Sequence, residues 1–386
     1  MRIFKLIIKN SLRHKLRTFL TILGIAIAVT AFGLLRTVIT AWYSGVEASA
    51  ANRLITRHSV SFIFPLPLAY RDRLEKIDGI ERVTYANWFG GVYIDKKQFF
   101  ARMAVDAETF QEVYPEILIP KEQLEAFKQD RSGCIIGEQI AQRYNLKIGD
   151  VMPMEGDIYP GKWEFTVRAI YKPRDKITDP SNMFFQWQYL EERLRKEWPT
   201  RAGYVGWYII EIKNPNNAAA VSEKVDQLFK NSPAETKTET ERAFSMGFMA
   251  SFSAVFTAIN IISFVIIGII LLVLGNTMIM SARERIREYA VLKTLGFTSF
   301  HIIGLIAGES LTIALMGGVL GIALTFPVTQ GFAAAVPKGY FPIFNVETIT
   351  LILSSGLAIL VGILASIFPI QRAVTTKIVD GLRQIG

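Results

Sequence analysis

"NTMIMSARERIREYAVLKTLGF", residues 276–297, joins two kinds of sequence that seldom meet. Upstream, residues 243–282 carry no charged side chain; four basic and two acidic residues then arrive within 281–299, and a glycine follows at 296. A bilayer core takes about 20 apolar residues of helix, at about 1.5 Å per residue. The uncharged run exceeds that length, so the charged segment is the first polar ground after a membrane crossing. The fold follows from locating the other crossings.

Three more uncharged runs stand at 18–35, 310–337 and 348–371. The first stops short at Arg36, but Thr37–Trp42 extends it, and an arginine near a span end reaches the interface by snorkelling. The expected spans are 18–42, a stalk and span over 243–280, 300–325 and 348–371. A positive mean hydropathy of +0.29 fits this count. The chain thus reads as a polytopic α-helical membrane protein with four transmembrane helices. Residues 43–242, between spans one and two, form an inserted α+β extracytoplasmic domain.

A net charge of +9 raises nucleic acid as a partner, but its placement argues for topology instead. Residues 1–17, 281–299 and 371–386 hold thirteen basic and three acidic side chains, which leaves the rest of the chain near −1. Four crossings put these flanks on one side, and the positive-inside rule makes that side the cytoplasm. Both termini are then cytoplasmic, and a short loop over 326–347 faces outward with 43–242. A basic region before an apolar one is also the pattern of a secretory signal, but no small-residue cleavage site follows, so the first span is expected to be retained.

Within 1–17, Ile3, Phe4, Ile7, Ile8 and Leu12 share one helical face and Arg2, Lys5, Lys9 and Arg13 the other. The pattern is that of an amphipathic helix lying on anionic lipid, the alternative being a plain basic tail. In the exported part, "LAYRDRLEKIDGIERV" (68–83) reads as helix, turn and strand. "SVSFIF" (59–64) and "YVGWYIIEI" (204–212) read as strands, and "NPNNAAAVSEKVDQLF" (214–229) as a helix. "GDVMPMEGDIYPGKWEFTVRAIY" (149–171) has two strand-like runs about a Gly/Pro turn. The Ser- and Thr-studded 243–260 starts a helix outside the bilayer, and with the end of the first span forms a stalk.

Enzymatic signatures are missing: no G-x-x-x-x-G-K-[ST], H-E-x-x-H, G-x-S-x-G or C-x-x-C occurs. His14, His58 and His301 are scattered, and Cys134 is the single cysteine, so no intramolecular disulfide or thiolate cluster can form. No catalytic residue, metal site or bound cofactor is expected. Glu309 lies inside the third span, where a carboxylate is costly and faces protein or water. It is either a proton or substrate site or a buried group bonded to a neighbouring helix. Gly317-x-x-x-Gly321 and Ala358-x-x-x-Gly362 are small-residue faces for close helix packing, within the chain or across a dimer.

In 281–296, Ala282, Ile286, Tyr289 and Ala290 share a face, and Glu284–Arg287 and Arg285–Glu288 are pairs three apart. Gly296 suits the helix end, and Thr298 or Ser299 can cap the next helix. Physics alone leaves two readings, a solvated loop or a docking helix for a cytoplasmic protein.

The residues resemble those of MacB/FtsX/LolC-type permeases of ABC transporters over nearly the whole chain. "IIKNSLRHKLRTFLTILGIAIAV" (7–29) is similar to their entry helix and first span, and "NTMIMSARERIREYAVLKTLG" (276–296) to their most characteristic segment. "IAGESLTIALMGGVLGI" (306–322) and "FPIQRAVTTKIVDGLR" (368–383) resemble their third span and tail. "LEKIDGIERV", "GCIIGEQIAQRYNLKIGDVM" and "FTVRAIY" resemble the MacB-like periplasmic core domain.

The resemblance implies that 281–297 holds a coupling helix seated in a groove of a cytoplasmic ABC ATPase subunit. Arg283, Glu284, Arg285, Arg287, Glu288, Tyr289 and Leu292 would then make the contacts. ATP and Mg would be bound by that partner, not by this chain, which is expected to be a separate polypeptide because MacB carries its ATPase at the N-terminus and this chain opens on the entry helix. Also implied are a second permease copy or paralogue, a periplasmic adaptor or outer-membrane partner, and a place in the bacterial inner membrane. The expected function is export or extraction of an amphipathic substrate (antibiotic, peptide, lipid or lipoprotein). The alternative is mechanical activation of a periplasmic cell-wall hydrolase without transport.

Overall fold

Four helices are long and apolar enough to cross a membrane: Lys15–Tyr43, Ser253–Glu284, Ser299–Ala335 and Thr348–Thr375. They belong to a computed structural model that describes residues 7, 10, 11, 13–47, 49–95, 99–175, 178–336 and 344–379. The interfacial helix expected over 1–17 falls largely outside those residues, as do 337–343 of the outward loop and the end of the tail. The chain divides into a helical unit (Met1–Thr40, Ser253–Ala335, Phe344–Gly386) and a unit built mainly of Ala41–Phe252.

Small residues set the packing of the helical unit. A Cβ at Gly317 would stand 2.6 Å from that of Ile25, and one at Gly321 would stand 2.7 Å from the Ala26 carbonyl. The third span therefore lies directly on the first, where the backbones meet without intervening side chains. Its opposite face meets the fourth span: a Cβ at Gly318 would be 2.6 Å from that of Ala358, and one at Gly362 would be 2.9 Å from that of Ala314. Both small-residue faces are thus occupied within the chain. Hydroxyls lock these seams, Thr30 Oγ1 donating to the Gly321 carbonyl at 3.0 Å and Ser310 Oγ to that of Gly362 at 2.7 Å.

The third helix continues to Ala335, so residues 326–335, expected in the outward loop, are helical. The stop at 325 assumed that a helix ends once it has crossed. Pro327 sits inside it, and a helix among other helices tolerates the lost hydrogen bond.

The other unit is a mixed sheet with helices on both faces. Its strands run in the order Thr236–Thr240, Arg53–His58, Trp207–Ile212, Ile80–Trp88, Arg102–Val105, Met183–Gln186, Gly133–Gly137, Gly161–Pro173, Ile117–Leu118, with Val151–Gly156 pairing Gly161–Pro173 as a hairpin. Two pairings are parallel, Arg102–Val105 with Met183–Gln186 and Gly133–Gly137 with Gly161–Pro173. Successive side chains in a strand point to opposite faces. Leu54, Tyr208, Ile210, Cys134, Ile136 and Phe185 accordingly bury on one face, and Ile55, Ile209, Ile135 and Phe184 on the other. This two-sided burial explains the near-continuous apolar strands.

The helix–turn–strand reading of 68–83 holds in shortened form: Leu68–Tyr70 is a 3-10 turn, Arg71–Leu74 a single α-turn, and Gly79, at φ +100°, opens the strand from Ile80. The strand expected at 59–64 lies earlier, at Arg53–His58, because that register pairs with Glu211–Tyr208 and with Thr240–Thr236. Residues 59–64 form a turn segment in which Val60, Ile63 and Phe64 are exposed. Helix Glu241–Ala250 is capped by Thr240, whose Oγ1 accepts from Ala243 N at 3.1 Å, and is separated by Ser251–Phe252 from the second span. Buried Arg53 ties it to the sheet, bonding Glu241 at 2.8 Å, Glu116 at 2.6 Å and the Val113 carbonyl at 3.0 Å.

Candidate functional site

The charged segment is not one helix. The second span ends at Glu284, Arg285 adopts φ −111° and ψ 7°, and a second helix runs Ile286–Thr294. Gly296, at φ +90°, then turns the chain toward the third span, a conformation that glycine adopts without a Cβ clash. The expected apolar face runs through the break, Ala282, Ile286, Tyr289 and Ala290 all being buried.

Arg285 itself is buried, 7% exposed, and lies against Glu309, also buried at 5%. Its Nη1 donates to Glu309 Oε2 at 2.8 Å and its Nε to Glu288 Oε2 at 2.9 Å. Ser281 Oγ donates to the other Glu309 oxygen at 3.1 Å. Both carboxylate oxygens of Glu309 therefore have donors, and Arg285 answers the question of what pairs a charge inside the third span. Burial pushes the Tyr289 phenol, packed under the Arg285 guanidinium, up to about 12.

The entry segment closes a second layer over this pair. Arg13 bonds Glu288 at 2.5 Å, and Arg17 holds Glu284 through two hydrogen bonds of 2.9 and 3.1 Å, with His14 3.1 Å from the same carboxylate. Burial works to raise the Glu288 carboxyl, but the hydrogen bonds from Arg13 and Arg285 outweigh it and hold the group below the usual carboxylate range. Glu284, expected to pair with Arg287, instead pairs with Arg17 and His14 of the entry segment, which lie beside it.

A third tie comes from Lys293. Its Nζ donates to the carbonyls of Ala373, Val374 and Thr376 at 3.1, 2.9 and 2.8 Å, at the end of the fourth span. A helix C-terminus leaves four carbonyls without intrahelical partners and carries partial negative charge, so a lysine there is favourable. Tyr289 and Leu292 pack into the apolar core shared by all four spans, with Ile302, Ile306 and Ala373.

Of the seven residues expected to contact a partner, Arg283, Glu284, Arg287 and Glu288 are exposed, Leu292 is half-buried, and Arg285 and Tyr289 face the bundle. The exposed side also carries apolar groups that sequence reasoning passed over: Val291, Leu295 at 70%, Phe297 and Phe300 at 80%. The signal was present, since large apolar residues flanking a turn glycine have no core to fill there.

Two family models cover the chain. One described as "MacB-like periplasmic core domain" matches residues 18–228, and one described as "FtsX-like permease C-terminal" matches 260–378. The chain belongs to the MacB/FtsX family of ABC transporter permeases. Among its relatives is an ABC transporter permease of Methanocaldococcus jannaschii, 24% identical over 97% of this permease and 96% of that one. The macrolide export ATP-binding/permease protein MacB of Shewanella sp. (strain W3-18-1) is 21% identical over 98% of this permease, which spans 60% of that protein's length. Among solved structures, the periplasmic region of MacB from Actinobacillus actinomycetemcomitans aligns at a TM-score of 0.39 and 13% identity, over 53% of this permease and 95% of that chain. The permease is a membrane protein with four apolar helices and an α/β domain of the extracellular type between the first two.

Proposed function

We propose that this permease converts ATP hydrolysis by a separate ABC ATPase subunit, which binds ATP and Mg, into movement of its external domain, and thereby exports or extracts an amphipathic substrate. The observation that carries the reading is the construction of the joint at 281–297. Helix Ile286–Thr294 is tied by Glu288 to the entry segment and by Lys293 to the fourth span, while Arg285 just before it holds the third span and Glu284, ending the second, holds the entry segment. A push on such a helix reaches several spans together, whereas a solvated loop would have no such ties.

The contact surface is the exposed side: Arg283 and Arg287 flanked by Val291, Leu295 and Phe297. This apolar centre with a basic rim has the composition of a docking surface. The basic flanks support a reading in which the joint is cytoplasmic and the α/β domain lies outside the cytoplasmic membrane. A second permease copy or paralogue completes the transporter.

The test is recovery of the ATPase with the tagged permease in mild detergent. Arg287→Glu combined with Leu295→Asp is expected to cut the recovered ATPase at least tenfold while leaving membrane insertion unchanged. Arg73→Glu, on the external domain, leaves recovery as in wild type. Equal recovery with the double variant would sink the docking role of this surface.

A further inference from the structure

The external domain carries a groove of about 620 Å³ that the coupling mechanism does not use. Its floor is Trp207 with Asn87, and its walls are Phe62, Tyr159, Tyr204 and Phe248. The sequence opens this space at Gly206, between strands Tyr204–Val205 and Trp207–Ile212, where a Cβ would stand 2.9 Å from the Ala86 carbonyl. Rings hold one another in place around it: Phe62 lies 4.7 Å from Trp207 and 5.2 Å from Phe244, centroid to centroid.

Two polar groups stand among these rings. Asn87 is 5% exposed; its amide nitrogen reaches the Tyr159 hydroxyl at 3.5 Å, but its Oδ1 is buried with no hydrogen-bond partner. A buried acceptor without a donor costs about 1–3 kcal/mol, so native structures seldom keep one without a reason. Arg201, at the rim, rests 4.9 Å from the Tyr159 ring centroid and spends one nitrogen on the Ile158 carbonyl at 3.2 Å, leaving further donors of its five. Among the described residues, no carboxylate lines the groove.

We propose that this groove binds one amphipathic small molecule: an aromatic or aliphatic body against the rings and an acidic or acceptor group at Arg201. The volume falls within the about 300–1,000 Å³ of small-molecule sites, and mostly apolar walls with few polar groups are their usual make-up. The absence of acidic lining and the presence of Arg201 disfavour a cationic ligand. Phe248 also gives the site a link to transport, since its helix precedes the second span in the chain. The inference rests on the export reading and assigns it a binding site.

The probe is 1-anilinonaphthalene-8-sulfonate, which has an aromatic body, one N–H and one sulfonate. The full chain in lipid nanodiscs is titrated without nucleotide or ATPase, empty nanodiscs being subtracted, and energy transfer from tryptophan is read, Trp88 and Trp207 both lining the groove. One saturable site per chain is expected. Arg201→Gln, which removes the cation at the rim, should weaken it at least 3-fold. Thr200→Trp, a substitution of an exposed rim residue that fills the mouth, should weaken it more than 10-fold with an unchanged circular dichroism spectrum. Unchanged affinity in the groove variants, or no saturable site, overturns the proposal and leaves the rings as a surface for a partner protein. Because no ATPase is present, such a failure leaves the co-purification result untouched, and loss of co-purification leaves this titration untouched.

Discussion

Replacing Glu309 by leucine tests the joint at its most protected point. Wild-type Glu309 accepts from both Ser281 and Arg285, and Arg285 keeps only Glu288 when the carboxylate is gone. Removing one member of a buried ion pair costs about 3–5 kcal/mol, because the other charge is left without compensation. Here the remaining Glu288 contact, half in solvent, takes up part of that charge, so about 3 kcal/mol is expected, a factor of about 150 in the folding equilibrium. Arg285→Leu should cost a similar amount. The double variant, with both charges gone and an apolar contact in their place, should lose no more than either single one, a coupling of about 3 kcal/mol. The assay is unfolding of the micellar protein by titrated sodium dodecyl sulfate, followed by far-ultraviolet circular dichroism, which the spans dominate. Additive losses in the double variant would refute the pairing as the fastening of the joint. Glu309→Gln separates charge from shape: it keeps an acceptor for Arg285, and a cost of about 1 kcal/mol is expected.

Lys293→Met removes three donors from the end of the fourth span, and about 1–2 kcal/mol of local protection should be lost at 372–376, read by amide hydrogen exchange. Gly321→Ala drives a methyl against the Ala26 carbonyl and Val29 and should destabilise the bundle by about 1–3 kcal/mol, whereas Gly304→Ala, which meets nothing within 4 Å, should be neutral in the same unfolding assay. The Arg13–Glu288 clamp should depend on pH. Glu288 titrates below its usual 4.5 when folded, so the clamp's contribution is complete above pH 4.5 and disappears as pH falls through the lowered value. A spin label pair on the entry segment and the coupling helix should separate only below pH 4.5, and Glu288→Gln should separate it at every pH.

Much of this architecture is written in length and charge. Uncharged runs long enough to cross a bilayer locate the spans, and the small residues at 317, 321, 358 and 362 are the ones that bring helices together. The pairing of Arg285 could not be seen: the 3.6-residue period sets it beside Ala282 and Tyr289, but helical spacing names no partner in another span. Glu309 was legible as a costly group but not as a partnered one, since its partner is 24 residues away and charge spacing speaks only of neighbours. In the external domain, 53–58 and 59–64 are both rich in β-branched and aromatic residues. Pairing with Thr236–Thr240 and Trp207–Ile212 chooses between them, and such long-range registers leave no local mark. The groove at Asn87 is likewise a product of tertiary packing: an asparagine in a strand is unremarkable until its acceptor is found buried and empty-handed.

The joint at 281–297 divides its residues into those that hold and those that meet. Arg285, Tyr289 and Lys293 are committed to the chain's own helices, so a change at any of them is felt inside the bundle whatever binds outside. Arg283, Arg287, Leu295 and Phe297 are exposed, and among the described residues none of their side chains makes a hydrogen bond or ion pair to another span. Lineages could therefore exchange one motor for another by rewriting the outer set alone, and the transmission behind it would pass unaltered from one engine to the next.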